Sequence, residues 1–146
     1  MEFIQQHMEF IQQNYMLMLS AAVSGSLLLF FSLRRPDNKH SVNATQATML
    51  INREDAVVID VREPSEYVEG HLPESRNIPL GQLEQRLGDL ERNKATPVIL
   101  ICQSGARSAE ACKKLEGLGF SRVHNLEGGV AAWRAAGMPL RKGAKK

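Results

Sequence analysis

Cys102 has the sequence setting of a reactive thiol. It follows the apolar, β-branched run Val98–Ile101, which is typical of a buried strand, and it precedes a turn-like and then helical pattern. In a strand–turn–helix unit, free backbone N–H groups and the helix dipole converge on one point and favour negative charge there. A helix N-terminus and a nearby arginine lower the pKa of a free thiol from about 8.5. Cys102 is therefore predicted to be a nucleophile, within a binding loop formed by Gln103, Ser104, Gly105, Ala106, Arg107 and Ser108.

The second cysteine, Cys112, has the setting of a core residue. It lies on the apolar face of the predicted helix, and free cysteine is among the residues most often buried. The same property leaves a structural role open for Cys102, although a structural cysteine gains nothing from the glycine-containing turn and the arginine that follow it. The C-x9-C pair has no histidine cluster beside it, so neither a metal site nor a cofactor is predicted.

Asp60 and Arg62 are predicted to lie beside the loop. They fall at the carboxyl end of a second apolar strand, AVVIDV, at residues 56–61. Ligands of an open parallel α/β sheet gather at the carboxyl edge of its strands, where Cys102 is also placed. The two residues are expected to orient the loop through hydrogen bonds and a salt bridge. A strand-end ion pair without a chemical role is the equal alternative.

The remaining pattern alternates strands with helices, which predicts an α/β domain with a parallel sheet flanked by helices. Asn43 and Gln46 have the spacing of a capping box at the start of the first helix. Residues 122–126 are predicted as a strand, and Gly128 and Gly129 as the start of a helix whose Trp133 packs under the sheet. Residues 80–93 are predicted to form an amphipathic helix with a core-facing leucine stripe of Leu80, Leu83, Leu87 and Leu90.

The pattern from about residue 43 to residue 140 resembles rhodanese-type sulfurtransferases, and the whole chain resembles the membrane-anchored single-domain rhodaneses of bacteria. Three blocks match in the expected order: the Cys102 loop, VVIDVREPSEYVEGHLPESRNIP at 57–79 and NLEGGVAAWRAAGMPL at 125–140. The resemblance implies ping-pong transfer of a sulfane sulfur through a Cys102 persulfide. The donor would be thiosulfate or a thiol persulfide, and the acceptor a thiol or cyanide. It also gives His71 a structural place in a turn, in preference to the role of a general base.

Loop length separates sulfur transfer from related chemistries. Phosphatases and arsenate reductases with a similar loop have C-x5-R, whereas Cys102 and Arg107 form the shorter C-x4-R of sulfurtransferases. Arg107 is expected to position the donor anion. Gln103 stands where family members active on thiosulfate often carry a basic residue, so a dianionic donor is less well matched. Two alternatives stay open: a non-catalytic partner-binding module of the same fold, and an arsenate or phosphate enzyme.

Residues 15–33 contain no charged side chain and are predicted to form one transmembrane helix. A signal peptide is disfavoured because no Lys or Arg precedes the apolar run, and a core helix because apolar residues surround it. Residues 1–14 would be extracytoplasmic, 34–42 a linker and 141–146 a basic tail. Arg34, Arg35 and Lys39 follow the segment, so the positive-inside rule places the domain on the cytoplasmic side of the inner membrane.

Composition excludes some classes of partner. A net charge of +2 is too small and too dispersed to predict nucleic-acid binding. Two cysteines, one of them needed as a thiol, indicate a reducing compartment. The lipid bilayer and small sulfur compounds are the predicted partners. Ala21 and Gly25 have the small-xxx-small spacing that would let two copies of the helix pack as a weak homodimer.

Overall fold

The computed structural model describes residues 1–33 and 38–144. They form two separate units, divided after Asp37. Arg34 and Arg35, on which the predicted membrane orientation depends, lie outside the described residues. Lys145 and Lys146 of the predicted basic tail also lie outside them.

The first unit is a single helix, α1, which spans Glu2–Leu33. The stretch Glu2–Phe31 is long and apolar enough to cross a membrane, and none of its most apolar window is buried. Residues 1–14 were predicted as a separate segment, but the helix already begins at Glu2. Within it, the polar side chains of Asn14 and Ser20 donate to the carbonyl oxygens of Phe10 and Leu17. These two side-chain groups therefore have partners inside the helix.

The second unit is a five-stranded parallel sheet flanked by helices, as predicted. The strand order is β1-β5-β4-β2-β3. In chain order the elements are β1 (Ser41–Val42), α2 (Ala44–Glu54), β2 (Val57–Asp60), α3 (Pro64–Glu69), β3 (Arg76–Asn77), β4 (Val98–Ile101), α4 (Ala106–Gly117), β5 (Val123–Leu126) and α5 (Gly129–Ala135).

Strand β4 lies in the middle of the sheet and is fully buried. Its residues alternate between two apolar cores, one on each face of the sheet. Val98 and Leu100 pack in the core that contains Cys112 and Phe120. Ile99 and Ile101 pack in the core that contains Trp133. The continuous apolar run thus reflects a strand covered on both sides.

The predicted helix at residues 80–93 is wrong. Three short 3₁₀ turns take its place: Leu80–Gln82, Leu87–Asp89 and Glu91–Asn93. The leucine stripe nevertheless faces the core, since Leu83 and Leu90 are fully buried and the other two leucines pack against the same core cluster. Spacing of three residues fits both kinds of helix, and Gly81 and Gly88 weaken an α-helix here.

The ends of the domain differ from the predicted boundaries. Residues 41–42, assigned to the linker, form edge strand β1 beside β5, and Val42 is buried. Arg141, assigned to the basic tail, exchanges two backbone hydrogen bonds with His71. The capping box of α2 is confirmed, because Asn43 and Gln46 each accept the other's backbone N–H.

Candidate active site

The Cys102 loop lies at the carboxyl end of β4 and leads directly into α4. The Cys102 side chain is 1% exposed and points into a set of donors. The Gly105 backbone N–H donates to Sγ over 3.0 Å, and the Ser108 hydroxyl lies 3.3 Å from Sγ. Gly105 adopts φ of +99°, a conformation that glycine takes without strain, and this turn aims its N–H at the sulfur.

The loop lowers the pKa of the Cys102 thiol. Burial alone raises that pKa, but the hydroxyl of Ser108 and the backbone N–H groups of Ser108, Ser104 and Gly105 outweigh burial by stabilising the thiolate. Four donors around one sulfur constitute the anion cradle predicted for the start of a helix. The donors thereby stabilise the thiolate, which is the reactive form of cysteine, at a site held away from bulk water.

The Ser108 hydroxyl has two acceptors and only one proton. It lies 2.6 Å from Oδ1 of Asn125 and 3.3 Å from the sulfur of Cys102. The Asn125 amide is fixed in orientation because its Nδ2 donates to the Gly105 carbonyl over 3.1 Å. Stabilising the thiolate through Ser108 therefore costs the bond to Asn125, whereas the backbone donors have no such competition. We infer that the backbone N–H groups lower the pKa of Cys102 whichever acceptor the Ser108 proton serves.

Backbone N–H groups of helix α5 hold the Cys102 loop in place. The N–H of Val130 donates to the carbonyl of Cys102 over 2.9 Å, and the N–H of Ala131 donates to that of Gln103 over 3.3 Å. Gly129 makes this close approach possible, since a Cβ there would lie 2.2 Å from the Cys102 carbonyl oxygen. The first free N–H groups of one helix thus fix the carbonyls of the loop, which leaves the loop's own N–H groups turned toward the sulfur.

Asp60 and Arg62 form a buried ion pair that reaches the loop. Their Oδ2 and Nη2 atoms lie 2.7 Å apart, and both side chains are almost fully buried. Nη2 of Arg62 also donates to the carbonyl of Gly70, and Nη1 donates to Oε1 of Gln103 over 3.4 Å. Arg62 therefore connects the end of β2, the end of α3 and the first loop residue. With Oε1 facing Arg62, the amide group of Gln103 is left to donate elsewhere.

Arg107 does not lie free in the loop. Its two terminal nitrogens donate to the two carboxylate oxygens of Glu66, each over 2.8 Å. This fork lowers the pKa of Glu66 to about 2, so the carboxylate is charged at any working pH. The pKa of Arg107 is raised by the same contact. The single cation of the loop is thus neutralised by a carboxylate from α3.

The comparisons with known proteins address the same region. A family model described as the Rhodanese-like domain matches residues 43–136. The chain belongs to the rhodanese-like domain family.

Relatives of this rhodanese-like domain support that assignment. A protein of Allochromatium vinosum named sulfurtransferase is 35% identical over 62% of this chain and 83% of its own. The Escherichia coli K12 protein YibN, described as uncharacterized, is 38% identical over 67% of this chain and 69% of its own. The crystal structure of a rhodanese-related protein from Thermoplasma volcanium superposes with a TM-score of 0.61 at 35% identity, covering 69% of this chain and 96% of that one. A chain made almost entirely of this domain therefore folds by itself.

The structure brings most of the predicted site residues together. Cys102, Gly105, Ser108 and Arg62 are buried, while Gln103, Ser104 and Ala106 are exposed on the outside of the loop. His71 is buried and stacks on Tyr67, and its Nδ1 lies 2.9 Å from the Tyr67 carbonyl; its structural role stays a prediction. Among the described residues, no group of three metal-ligating side chains occurs.

Sequence reasoning missed three contributors: Glu66, Asn125 and Gly129. One signal pointed to the first of them. Glu63 and Glu66 form a capping box at the start of α3, which places Glu66 at the sheet edge where Arg107 was expected. Asn125 and Gly129 gave no such signal, because their contacts with the loop depend on how β5 and α5 pack in three dimensions.

Proposed function

We propose that this protein moves a sulfane sulfur from a donor through a persulfide on Cys102 to a nucleophilic acceptor. The observation that carries the proposal is the buried Cys102 sulfur with the Gly105 N–H 3.0 Å away and a lowered pKa. The thiolate attacks the outer sulfur of the donor, and an S–S bond to Cys102 forms. The S–S bond inside the donor breaks, and its electron pair leaves with the remainder of the donor molecule. The acceptor then attacks the outer sulfur and Cys102 leaves as thiolate. No oxidant or reductant is consumed.

The charge of the loop favours a thiol persulfide over thiosulfate as donor. Arg107 is neutralised by Glu66, and Gln103 is uncharged. A thiosulfate dianion would therefore meet no uncompensated cation inside the loop. A thiol persulfide carries a single charge at its reacting end, and the loop N–H groups are sufficient to hold it. Glutathione persulfide is the natural probe of this class.

Intact-mass measurement on the soluble domain, residues 38–146, tests the proposal. The purified domain is exposed to glutathione persulfide and, separately, to thiosulfate. We expect a gain of about 32 Da, the mass of one sulfur atom, that cyanide reverses. Cys112→Ser should gain the same mass, while Cys102→Ser should gain none. The gain should appear at lower concentration with the persulfide than with thiosulfate.

Two results would contradict the proposal. A sulfur carried equally by Cys102→Ser would place the chemistry elsewhere. No gain with either donor, from a folded domain whose thiol still titrates, would favour a partner-binding module that uses the fold without its chemistry. Arsenate turnover by the same preparation would instead favour oxyanion chemistry.

We further propose that α1 anchors the domain to the inner membrane with the domain in the cytoplasm. The length of α1, its apolar character and the hydrogen bonds that occupy Asn14 and Ser20 support this role. In bacterial cells the full chain should stay with membranes after alkaline carbonate washing, and residues 38–146 alone should be released. In spheroplasts, an external protease should leave the domain intact. Digestion of the domain from outside would reverse the proposed orientation.

A further inference from the structure

A pocket separate from the Cys102 loop lies at the edge of the sheet, beside β3 and the 3₁₀ turns that replace the predicted helix. It has a volume of about 520 Å³, within the range of about 300–1,000 Å³ typical of small-molecule sites. Buried Ile78 forms part of its lining. Three arginines, Arg76, Arg86 and Arg92, line the same pocket.

The charge in this pocket is largely uncompensated. Among the described residues that line it, only Asp89 carries a carboxylate, and that group accepts from Nε of Arg86 over 3.0 Å. Arg86 is also held by the carbonyl of Asn77. Within residues 1–33 and 38–144, neither Arg76 nor Arg92 has an acidic partner. Two exposed guanidinium groups therefore line a concave site whose one carboxylate among the described residues, that of Asp89, is already engaged by Arg86.

The irregular backbone of this segment creates the pocket. In a continuous α-helix, residues six positions apart would point about 120° away from each other. Arg86 precedes the turn Leu87–Asp89 and Arg92 lies in the turn Glu91–Asn93, and both line the one pocket. Gly88 also lines it and has open space where a Cβ would stand. Breaking the helix thus converges charges that a regular helix would have separated.

We propose that this pocket binds a phosphate monoester. The guanidinium fork matches the oxygens of phosphate and carboxylate equally in geometry. Charge distinguishes the two, because a phosphate monoester carries about −1.5 to −2 at neutral pH and thereby balances both unpaired arginines. A single carboxylate would balance one. The volume leaves room for the organic part of the ester over Ile78. A soluble metabolite and the headgroup of phosphatidic acid present this same group.

Calorimetric titration of residues 38–146 at low, constant ionic strength tests the site with phenyl phosphate. Phenyl sulfate is the matched probe, since it has nearly the same shape and one charge less. Phenyl phosphate should bind at least about tenfold more tightly than phenyl sulfate, and Arg76→Gln/Arg92→Gln should lose at least about tenfold in affinity. Arg53→Gln/Lys113→Gln removes two exposed charges elsewhere and should bind as the parent does. Amide NMR shifts should centre on Gly88 and Asn93, and circular dichroism should show both variants folded.

A second arm distinguishes the two sources of the phosphate group. The domain is sedimented with phosphatidylcholine vesicles with and without phosphatidic acid. The site is assigned to a lipid headgroup if the domain binds only vesicles that contain phosphatidic acid. This binding must be lost in the Arg76→Gln/Arg92→Gln variant and kept in the Arg53→Gln/Lys113→Gln variant. Binding of phenyl phosphate without vesicle binding assigns it to a soluble ester. Equal affinity in the two double variants overturns the proposal. So does binding of an oligoglutamate peptide with no affinity for phenyl phosphate or vesicles, or no binding of any probe.

Discussion

Cys102 and Cys112 show how position relative to one helix decides whether a buried thiol is reactive. Both side chains are 1% exposed, and both pack in the same apolar core. The pKa of Cys102 is lowered, because donors outweigh burial. The pKa of Cys112 is raised to about 12, chiefly by burial and also by the nearby charge of Glu116. Equal burial thus gives opposite acidity.

The difference arises from the backbone. Cys102 precedes α4, where N–H groups of the loop and the first helical turn have no helical carbonyl to bond. Cys112 lies inside α4, where each N–H is already used by the carbonyl four residues earlier. A side chain in the middle of a helix therefore meets no backbone donors, and burial acts on it alone. Reactivity follows the supply of donors and not the exposed area.

Removing each thiol should give the largest contrast. Cys102→Ser should lower sulfur transfer from glutathione persulfide to cyanide by about 10³-fold or more, because the covalent intermediate can no longer form. Cys112→Ala should keep the rate within about threefold. Thiocyanate formation measures both. A large loss in Cys112→Ala with a retained fold would contradict the division of roles.

Freeing Arg107 should change the donor preference. Glu66→Gln removes the carboxylate that neutralises Arg107, so a cation becomes available to a dianionic donor. The ratio of kcat/KM for thiosulfate to that for glutathione persulfide should rise by about tenfold. Because the pKa of Glu66 is about 2, this effect should hold at every pH above about 5.

Glu69→Gln is the matched control, since Glu69 lies in the same helix and is exposed. Its donor ratio should stay at the parent value. An unchanged ratio in Glu66→Gln would show that the ion pair only holds the loop in place. A similar loss of kcat/KM with both donors in Glu66→Gln would also show that the ion pair only holds the loop in place.

The Ser108 hydroxyl should have a smaller effect. Ser108→Ala removes one of the donors that lower the pKa of Cys102, so less thiolate is present at neutral pH. Iodoacetamide should alkylate Cys102 about three- to tenfold more slowly at pH 7, with the rate profile displaced to higher pH. Ser121→Ala, at an exposed serine, should follow the parent profile. A displacement to lower pH would mean that the Ser108 proton stays with Asn125 and does not serve the sulfur.

Cys112 should affect stability in a pH-dependent way and sulfur transfer very little. Its folded-state pKa of about 12 exceeds the ordinary value of 9.0. Its contribution to stability is therefore complete below pH 9 and is lost as pH rises toward 12. The free energy of unfolding of Cys112→Ala should lie about 1 kcal/mol below that of the parent at pH 8. By about pH 10.5 ionisation removes about 2 kcal/mol from the parent, so the gap should close and then reverse sign. Urea unfolding at several pH values measures it, and a constant gap would contradict the assignment.

The sequence predicted the parts of the site that depend on local spacing. The β-branched run before Cys102 and the C-x4-R loop were sufficient to place a strand, a turn and a helix in order. The capping box at Asn43 was found because its two partners are three residues apart. In such cases short-range geometry decides the structure, and three-dimensional packing only confirms it.

Packing over long distances was beyond the sequence. The helix predicted from the leucines at 80–93 failed because core-facing spacing is compatible with successive 3₁₀ turns. The pairing of Arg107 with Glu66 joins residues 41 positions apart. The role of Asn125 likewise depends on β5 lying beside β4, which no local motif states.

The contact between Gly129 and the Cys102 carbonyl has a consequence for the newly made protein. The loop is synthesised before Asn125 and α5, yet its carbonyls are fixed by Val130 and Ala131. A nascent chain that has emerged only as far as α4 therefore lacks the groups that fix these carbonyls. We expect the cysteine to reach its full reactivity only when the last helix docks, at the end of folding and not during translation of the motif that contains it.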